Sequence, residues 1–262
     1  MTSLEPVHEH LELHVEGHLG RLVLNRPEKL NPLSTGVLLG IEAAARRFDS
    51  ISAVRVVVVE GRGRAFCAGA DVSVFAGDPG DEMSVRERAD AGRRMAEALE
   101  AMRAVTVARI QGHCVGGGVV LAAACDMRIA AHSARFSIPE VALGIPLAWG
   151  GIPRLVREVG APAARDLVMT CRTVEPQEAL GLGLVQRVVP DDELDAEVDA
   201  LVRELLDRPT LPMYLTKRAI DAVTSQMVGT GRAFADADAL LSALGDDESR
   251  AHAQRYLEAM DR

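Results

Sequence analysis

The sequence predicts an α/β protein in which β-β-α units repeat to about residue 190 and a helical region closes the chain. Two apolar, strand-like runs each end in a glycine-rich turn that opens a helix, at residues 61–71 and 111–118. Beyond Pro190 the apolar residues recur only at helical spacing. A chain of 262 residues with 48% hydrophobic content is long enough to bury a large core.

The N-terminal third predicts a hairpin, a helix and a central strand. Residues 11–15 alternate between apolar and polar, and residues 21–25 form a second strand after a turn. Ser34 can cap a helix that runs to about Asp49. The run at 54–60 is β-branched and apolar at nearly every position, which is typical of a strand buried on both faces.

The rest of the chain alternates between helices and strands before it becomes purely helical. Apolar residues at three- and four-residue steps from Val85 to Met102 predict an amphipathic helix. Between this helix and residue 190 we expect three strands, at 105–111, 126–130 and 184–189. We expect helices at 119–125, 150–159, 161–169 and 176–182. Residues 133–144 are expected to form a loop that contains a short strand. Apolar stripes predict further helices over 194–205, 215–223 and 233–244.

Composition excludes several classes of protein. The net charge of −9 argues against a nucleic-acid-binding surface, and no apolar run has the length of a membrane span. The polar, acidic N-terminus does not resemble a signal or transit peptide, so we expect a cytoplasmic location. The cysteines lack the spacing of a metal site and are interpreted as free thiols; they are Cys67, Cys114, Cys125 and Cys171.

The two glycine-rich turns are the first candidates for chemistry. Glycine lets a ligand approach the backbone and permits the positive φ that aims successive N–H groups at one point. Two such donors on one oxygen would form an oxyanion hole for a carbonyl or thioester. Either turn alone is better interpreted as a tight strand-to-helix connection, and it is their pairing that favours a site.

Several segments resemble the enoyl-CoA hydratase/isomerase (crotonase) superfamily, in that family's order and over essentially the whole chain. They are NRPEKLN at 25–31, AFCAGAD at 65–71, GGG at 116–118, CD at 125–126, PEVALG at 139–144 and EALGLGLV at 178–185. The resemblance implies a crotonase-like spiral of β-β-α repeats over 1–190 and a C-terminal helical oligomerisation region over 191–262. It also implies a homo-oligomer, either a trimer or a dimer of trimers.

The same resemblance implies an acyl-CoA thioester as substrate, with CoA arriving as part of it and no metal or other cofactor. The backbone N–H groups of Ala70 and Gly117 would hold the thioester oxygen, and Glu140 would be the catalytic base. Burial of this carboxyl would raise its pKa and suit it to proton transfer at the α-carbon. The implied CoA and acyl contacts are Arg26, Lys29, Leu30, Ala68, Asp71, Val72, Trp149 and Tyr256.

Val120 departs from the family pattern. By the family resemblance, enoyl-CoA hydratases carry a second glutamate at that position, and the two carboxylates hold and polarise the water that adds to the double bond. Valine can do neither. Enoyl-CoA double-bond isomerisation, which needs one base, is therefore the first prediction. The alternatives are a 2-enoyl-CoA hydratase and an inactive CoA-binding scaffold. A dinucleotide-binding oxidoreductase is disfavoured because Phe66 stands where the third glycine of the fingerprint belongs.

Overall fold

Strands and helices alternate along residues 2–71 and 83–260, the part of the chain that the computed structural model describes. Val72, a predicted CoA contact, lies outside the described residues. The strands are β1 (Thr2–Ser3), β2 (Leu11–Glu16), β3 (Leu19–Leu24), β4 (Val56–Gly61), β5 (Val105–Ile110), β6 (His113–Val115), β7 (Met127–Ala131), β8 (Arg135–Ser137) and β9 (Arg187–Val189). The helices are α1 (Thr35–Ser50), α2 (Val85–Glu100), α3 (Gly117–Ala123), α4 (Gly151–Thr170), α5 (Pro176–Leu182), α6 (Leu194–Leu206), α7 (Thr210–Met227), α8 (Asp236–Gly245) and α9 (Asp247–Met260).

The main sheet has the strand order β1-β2-β3-β4-β5-β7-β9. Strands β1, β2 and β3 pair antiparallel, whereas β3, β4, β5, β7 and β9 pair in parallel. Parallel neighbours need a crossover connection, and α1 and α2 lie in the connections between β3, β4 and β5. A second, smaller sheet consists of the parallel pair β6 and β8. The predicted α/β class is confirmed.

Strand β4 faces helices on both sides. Val57 and Val59 pack in a large hydrophobic cluster with residues of α1, α2 and α3. Val56 and Val58 pack instead with the apolar residues of α6. Because successive side chains of a strand point to opposite faces, the sheet is covered by α1 and α2 on one face and by α6 on the other. The predicted burial of this strand on both faces is confirmed.

Two elements differ from the sequence prediction. The second glycine-rich turn contains the three residues of β6, and α3 begins at Gly117 rather than near Val119. A three-residue strand is too short to show an alternating pattern, so only its pairing with β8 identifies it. The helices predicted at 150–159 and 161–169 are joined in α4, with a break at Gly160, whose φ of 76° is not helical.

The C-terminal helices pack against the rest of the molecule. Lys217 of α7 donates hydrogen bonds to Asp126 Oδ2 at 2.7 Å and to the Ala104 carbonyl oxygen at 2.9 Å. Helix α8 packs on α2, where Arg86 Nε lies 2.8 Å from Asp238 Oδ1. Within the described ranges, none of the helices combines the length and the apolar character of a membrane span.

Candidate active site

The first glycine-rich turn is anchored by Asn31, a buried residue in the left-handed conformation with a φ of 57°. Its side-chain Nδ2 donates hydrogen bonds to the carbonyl oxygens of Arg62 and Ala65, both at 2.9 Å. Its Oδ1 accepts the Arg26 N–H at 2.9 Å. One amide side chain therefore joins the loop after β3 to the turn after β4. The sequence singled out the segment that contains Asn31 but not this role.

The backbone around Ala70 is held from both sides. The Leu33 N–H donates to the Gly69 carbonyl at 2.8 Å, and the Asp71 N–H donates to the Leu33 carbonyl at 3.0 Å. Among the described residues, the Ala70 N–H itself has no acceptor. A donor left unpaired in a rigid turn is available to a ligand.

The second turn lies directly beside the first. The Cys67 N–H donates to the His113 carbonyl at 2.9 Å, and the Val115 N–H donates to the Cys67 carbonyl at 3.0 Å, so β6 pairs with the first turn. A Cβ placed on Gly69 would lie 3.7 Å from the Gly117 nitrogen. Gly117 is the first residue of α3, and its N–H has no acceptor in the described part of the chain.

One small cavity brings the two turns and the predicted base together. Its volume is about 30 Å³, and it is partly open to solvent. Its lining joins both unpaired amides to a carboxyl and to apolar side chains from α2, α8 and the segment before α4. The lining residues are Ala70, Ala89, Gly117, Glu140, Ile145, Pro146, Leu147, Ala148, Trp149 and Leu240. The predicted meeting of Ala70, Gly117 and Glu140 is thus present in the geometry.

Glu140 lies in a turn that is closed by a hydrogen bond from the Ile145 N–H to the Glu140 carbonyl oxygen, at 2.9 Å. The carboxyl atom Oε2 is buried and has no hydrogen-bond partner among the described residues. A Cβ on Gly116 would lie 2.3 Å from Oε1, so the carboxyl group rests against the start of α3. Burial raises the pKa of Glu140 to about 7, against the opposing effect of a hydrogen bond from its own backbone N–H.

Val120 is buried in the hydrophobic core and does not line the cavity. One of its methyl groups would lie 2.9 Å from a Cβ on Gly151, at the start of α4. Glu140 is the only acidic residue among the described residues of the cavity lining. In the same part of the chain, no three His, Cys, Asp or Glu side chains are grouped to hold a metal ion.

Trp149 forms one wall of the cavity, as the family resemblance implied, and it is 7% exposed. The indole fills the space beside two glycines. A Cβ on Gly92 of α2 would lie 2.0 Å from Cδ2 of the indole, and a Cβ on Gly117 would lie 2.3 Å from Cζ3. Gly92 lies inside the helix predicted between Val85 and Met102. A glycine in a helix interior is a sequence signal for a close neighbour.

Most of the predicted CoA contacts lie on the two loops joined by Asn31. Leu30 has a left-handed φ of 62°, and its carbonyl accepts the Ala68 N–H at 2.9 Å. Arg26 Nη1 forms an ion pair with Asp71 Oδ2 at 3.1 Å, so its guanidinium is already engaged. Lys29 is exposed. These loops form a rim that begins next to Ala70.

Tyr256 of α9 is half-buried on the Glu140 side of the molecule. Burial raises the pKa of its phenol, and the negative charges of Cys171 and Glu140 add to that rise. Helix α9 reaches this region because Gly144 packs against it: a Cβ on Gly144 would lie 2.3 Å from the Ser249 carbonyl oxygen. The C-terminal helix therefore lies against the turn that carries the candidate base.

Comparisons with known proteins show the family to which the chain belongs. A family model described as Enoyl-CoA hydratase/isomerase matches residues 15–262. Crotonyl-CoA hydratase of Syntrophomonas wolfei is 36% identical over 213 residues, which cover 81% of each chain. An enoyl-CoA hydratase from Mycobacterium avium subsp. paratuberculosis superimposes with a TM-score of 0.85 at 28% identity, over 96% of this chain and 97% of that one. A Thermobifida fusca protein solved in complex with acetoacetyl-CoA has a TM-score of 0.76 at 32% identity, over 90% of this chain and 95% of that one.

Proposed function

Because the chain belongs to the enoyl-CoA hydratase/isomerase family, we propose that it moves a proton at the α-carbon of an enoyl-CoA thioester. The observation that carries this proposal is the cavity itself, which brings the buried carboxyl of Glu140 together with the amides of Ala70 and Gly117. Among the described residues, neither Oε2 of that carboxyl nor either amide has a hydrogen-bond partner. The acetoacetyl-CoA complex of the Thermobifida fusca protein supports a CoA thioester as the ligand.

The first step is removal of a proton from C2 of a 3-enoyl thioester by the Glu140 carboxylate. The electron pair of the broken C–H bond moves onto the thioester oxygen and forms an enolate. The Ala70 and Gly117 N–H groups donate hydrogen bonds to that oxygen, and each such donor typically lowers the barrier by about 3 kcal/mol. A base with a pKa of about 7 is half ionised near neutral pH, where it can both take and return a proton.

The second step returns the proton to C4. The enolate re-forms the thioester carbonyl, the double bond shifts from C3–C4 to C2–C3, and Glu140 is a carboxylate again. One carboxyl group completes this cycle, and Glu140 is the only acid among the described lining residues. The product is a 2-enoyl thioester, and no group other than the substrate and the protein takes part.

The CoA portion of the substrate would lie along the rim formed by the two loops next to Ala70. Backbone groups of Leu30 and Ala68 define this rim, and Lys29 beside them is exposed. Because Arg26 is paired with Asp71, Lys29 is the better candidate for a phosphate contact. Proximity of the rim to the cavity leaves the thioester within reach of the two amides.

Hydration of a 2-enoyl thioester is the second candidate, favoured by the name of the Syntrophomonas wolfei relative. Hydration needs a water molecule that is held and polarised next to C3. Val120 stands where a second glutamate would do this, and its side chain is packed in the core. The lining therefore supplies one base and no second acid in the described residues, which favours isomerisation.

The decisive experiment supplies purified protein with 3-enoyl-CoA and 2-enoyl-CoA in separate reactions. We expect the wild type to convert the 3-enoyl ester, and Glu140→Gln to lose about 10²- to 10⁴-fold in kcat because the general base is gone. Glu9→Gln is the matched control, since the Glu9 side chain is 80% exposed and does not line the cavity.

Three outcomes would contradict the proposal in different ways. Hydration of the 2-enoyl ester as fast as isomerisation would make the protein a hydratase. Unchanged isomerisation by Glu140→Gln would remove Glu140 from its role as base. Binding of acyl-CoA without turnover of either ester would support the inactive scaffold instead.

A further inference from the structure

The backbone at Trp149 is clamped in a conformation that a bulky residue rarely adopts. Its φ is 62°, in the left-handed region that favours glycine. The peptide group that follows Trp149 is held at both ends. Arg154 Nη1 donates to the Trp149 carbonyl oxygen at 3.0 Å, and the Gly150 N–H donates to Asp236 Oδ2 at 2.7 Å.

The clamp is itself rigid. Arg154 is 1% exposed, and its Nε and Nη2 contact the two carboxylate oxygens of Glu100 at 3.1 and 2.5 Å. Such a two-point pair between guanidinium and carboxylate fixes orientation as well as distance. Glu100 is the last residue of α2, and Asp236 is the first residue of α8. The same two helices contribute Ala89 and Leu240 to the cavity lining.

The clamp aims the indole across the end of the cavity. Gly92 is buried in the interior of α2, where glycine is a poorer helix former than alanine. The space that its missing side chain leaves is occupied by the indole, because a Cβ there would lie 2.0 Å from Cδ2. The six-membered ring of the indole lies beside Gly117, one of the two proposed oxyanion donors, because a Cβ there would lie 2.3 Å from Cζ3.

The space left to an acyl group is small. A cavity needs about 10–15 Å³ to hold one water molecule, and the volume of this one is about 30 Å³. So little room beside the two amides and Glu140 suits a short acyl chain better than a long one. Trp149 has the largest side chain in the lining, and it separates this space from α2 at Gly92.

We propose that Trp149 restricts the acyl group to short chains, and that Asp236 and Arg154 are positioning residues that hold the indole in place. This inference rests on the proposed action on acyl-CoA, whose substrate class it narrows. A longer chain would need the space that the indole fills. Interdigitated side chains do not yield such space without cost, so wild-type protein discriminates against longer chains.

The first test compares kcat/KM for four-carbon and eight-carbon 3-enoyl-CoA esters. We expect wild type to prefer the shorter ester by about 100-fold or more, and Trp149→Ala to reduce this ratio at least about tenfold by improving the longer ester. Equal use of both esters by wild type, or the same ratio in Trp149→Ala, would overturn the inference while leaving the proposed reaction intact.

Binding of saturated esters separates the inference from the reaction. Butanoyl-CoA and octanoyl-CoA carry no double bond, so calorimetry reports chain-length preference without turnover. We expect wild type to bind butanoyl-CoA more tightly than octanoyl-CoA, and Trp149→Ala to lose most of this difference in affinity. A protein that isomerises no ester but still prefers butanoyl-CoA would refute the proposed function alone. Equal affinity for both esters would refute the size restriction.

Asp236 is tested by fluorescence, because Trp149 is the only tryptophan of the chain. Asp236→Ala removes the acceptor of the Gly150 N–H, and we expect a red-shifted emission and a reduced preference for the short ester. Asp236→Asn keeps a carbonyl oxygen at this position and should restore both properties. Glu9→Gln, which alters an exposed carboxyl outside α2 and α8, is the control. Unaltered emission and preference in Asp236→Ala would remove Asp236 from this role.

Gly92→Ala gives a test that does not depend on truncating the indole. In wild type the new methyl group would displace the indole, and we expect lower thermal stability and a weaker preference for the short ester. In the Trp149→Ala background the clash is absent, so the same change should raise stability through better helix propensity. A change of the same sign in both backgrounds would contradict the proposed contact.

Discussion

At the scale of single residues, the site depends on a carboxyl group that is kept from water without a hydrogen-bond partner for Oε2. Buried polar atoms are normally paired, so an unpaired one requires an explanation, and the proposed catalytic role supplies one. The sequence motif predicted Glu140 as the base. It could not predict the contact with Gly116, because that contact joins two turns more than twenty residues apart in the sequence.

Glu140 makes the stability of the protein depend on pH. Its pKa is about 7 in the folded protein and 4.5 when exposed, so the folded state binds the proton more tightly. The stabilisation from the bound proton is complete below pH 4.5 and is lost as the pH rises to about 7. The full loss is about 3 kcal/mol. Glu140→Gln has no such titration. Its free energy of unfolding, relative to that of wild type, should therefore rise by about 3 kcal/mol between pH 4.5 and 8.

Urea unfolding at several pH values measures this difference. The comparison with wild type cancels the titration of all other groups, and Glu9→Gln controls for the loss of an exposed carboxyl. A free energy difference between Glu140→Gln and wild type that stays constant from pH 4.5 to 8 would show that the carboxyl is not desolvated in the folded protein.

At the scale of elements, the two turns are fixed by contacts that a reading of the sequence finds only in part. Glycine spacing predicted both turns, and the apolar runs predicted β4 and β5 to within two residues at each end. The sequence did not reveal β6 or its pairing with Cys67, because three residues carry no period. It also did not reveal the role of Asn31, whose partners lie more than thirty residues further along the chain.

Asn31 is expected to support the first turn in two separable ways. Asn31→Gly keeps the left-handed backbone but leaves the carbonyls of Arg62 and Ala65 without this donor, at a cost of about 1–3 kcal/mol. Asn31→Ala adds the strain of a positive φ, about 1 kcal/mol more. Both variants should also lose activity, since the Ala70 amide moves with the turn. Urea unfolding and isomerase assays measure the two effects.

Glu28→Ala is the control within the same loop, because the Glu28 side chain is 65% exposed and lies 3.6 Å from Arg26. Its effect on the free energy of unfolding should stay within about 0.5 kcal/mol. If Asn31→Gly were as stable and as active as Glu28→Ala, the turn would be held by its backbone hydrogen bonds alone.

At the scale of the whole molecule, distant segments meet around the sheet. The fold class, the strand buried on both faces and the helical C-terminus were predictable, because each depends on local periodicity. The contribution of Leu240 to the cavity was not, because α8 reaches α2 only through packing. The apolar stripe predicted in α7 forms a helix, but Leu215, Ile220 and Val223 are more than half exposed. Assembly into a homo-oligomer through these helices stays a prediction.

Lys217 is expected to attach α7 to the core. All residues of α7 are described, and Lys217 is the only buried one. Its Nζ donates to Asp126 and to the Ala104 carbonyl, at the edge where β5 and β7 begin. Lys217→Met removes one partner of a buried ion pair, which typically costs about 3–5 kcal/mol. The loss in free energy of unfolding should be near the lower of these figures, because Asp126 Oδ2 keeps its hydrogen bonds from the N–H and hydroxyl of Thr106.

Chemical unfolding of three variants checks this attachment. Arg218→Met changes the next residue, whose side chain is 52% exposed and whose nearest acid, Asp221, is 3.9 Å away, so it should cost almost nothing. Lys217→Met combined with Asp126→Asn leaves no uncompensated charge, so the double variant should cost at least about 1 kcal/mol less than the two single changes added together. Lys217 and Asp126 are 91 residues apart in the sequence, so their ion pair joins distant parts of the chain. Additive costs would mean that the pair contributes nothing to stability and that α7 is held by its few apolar contacts.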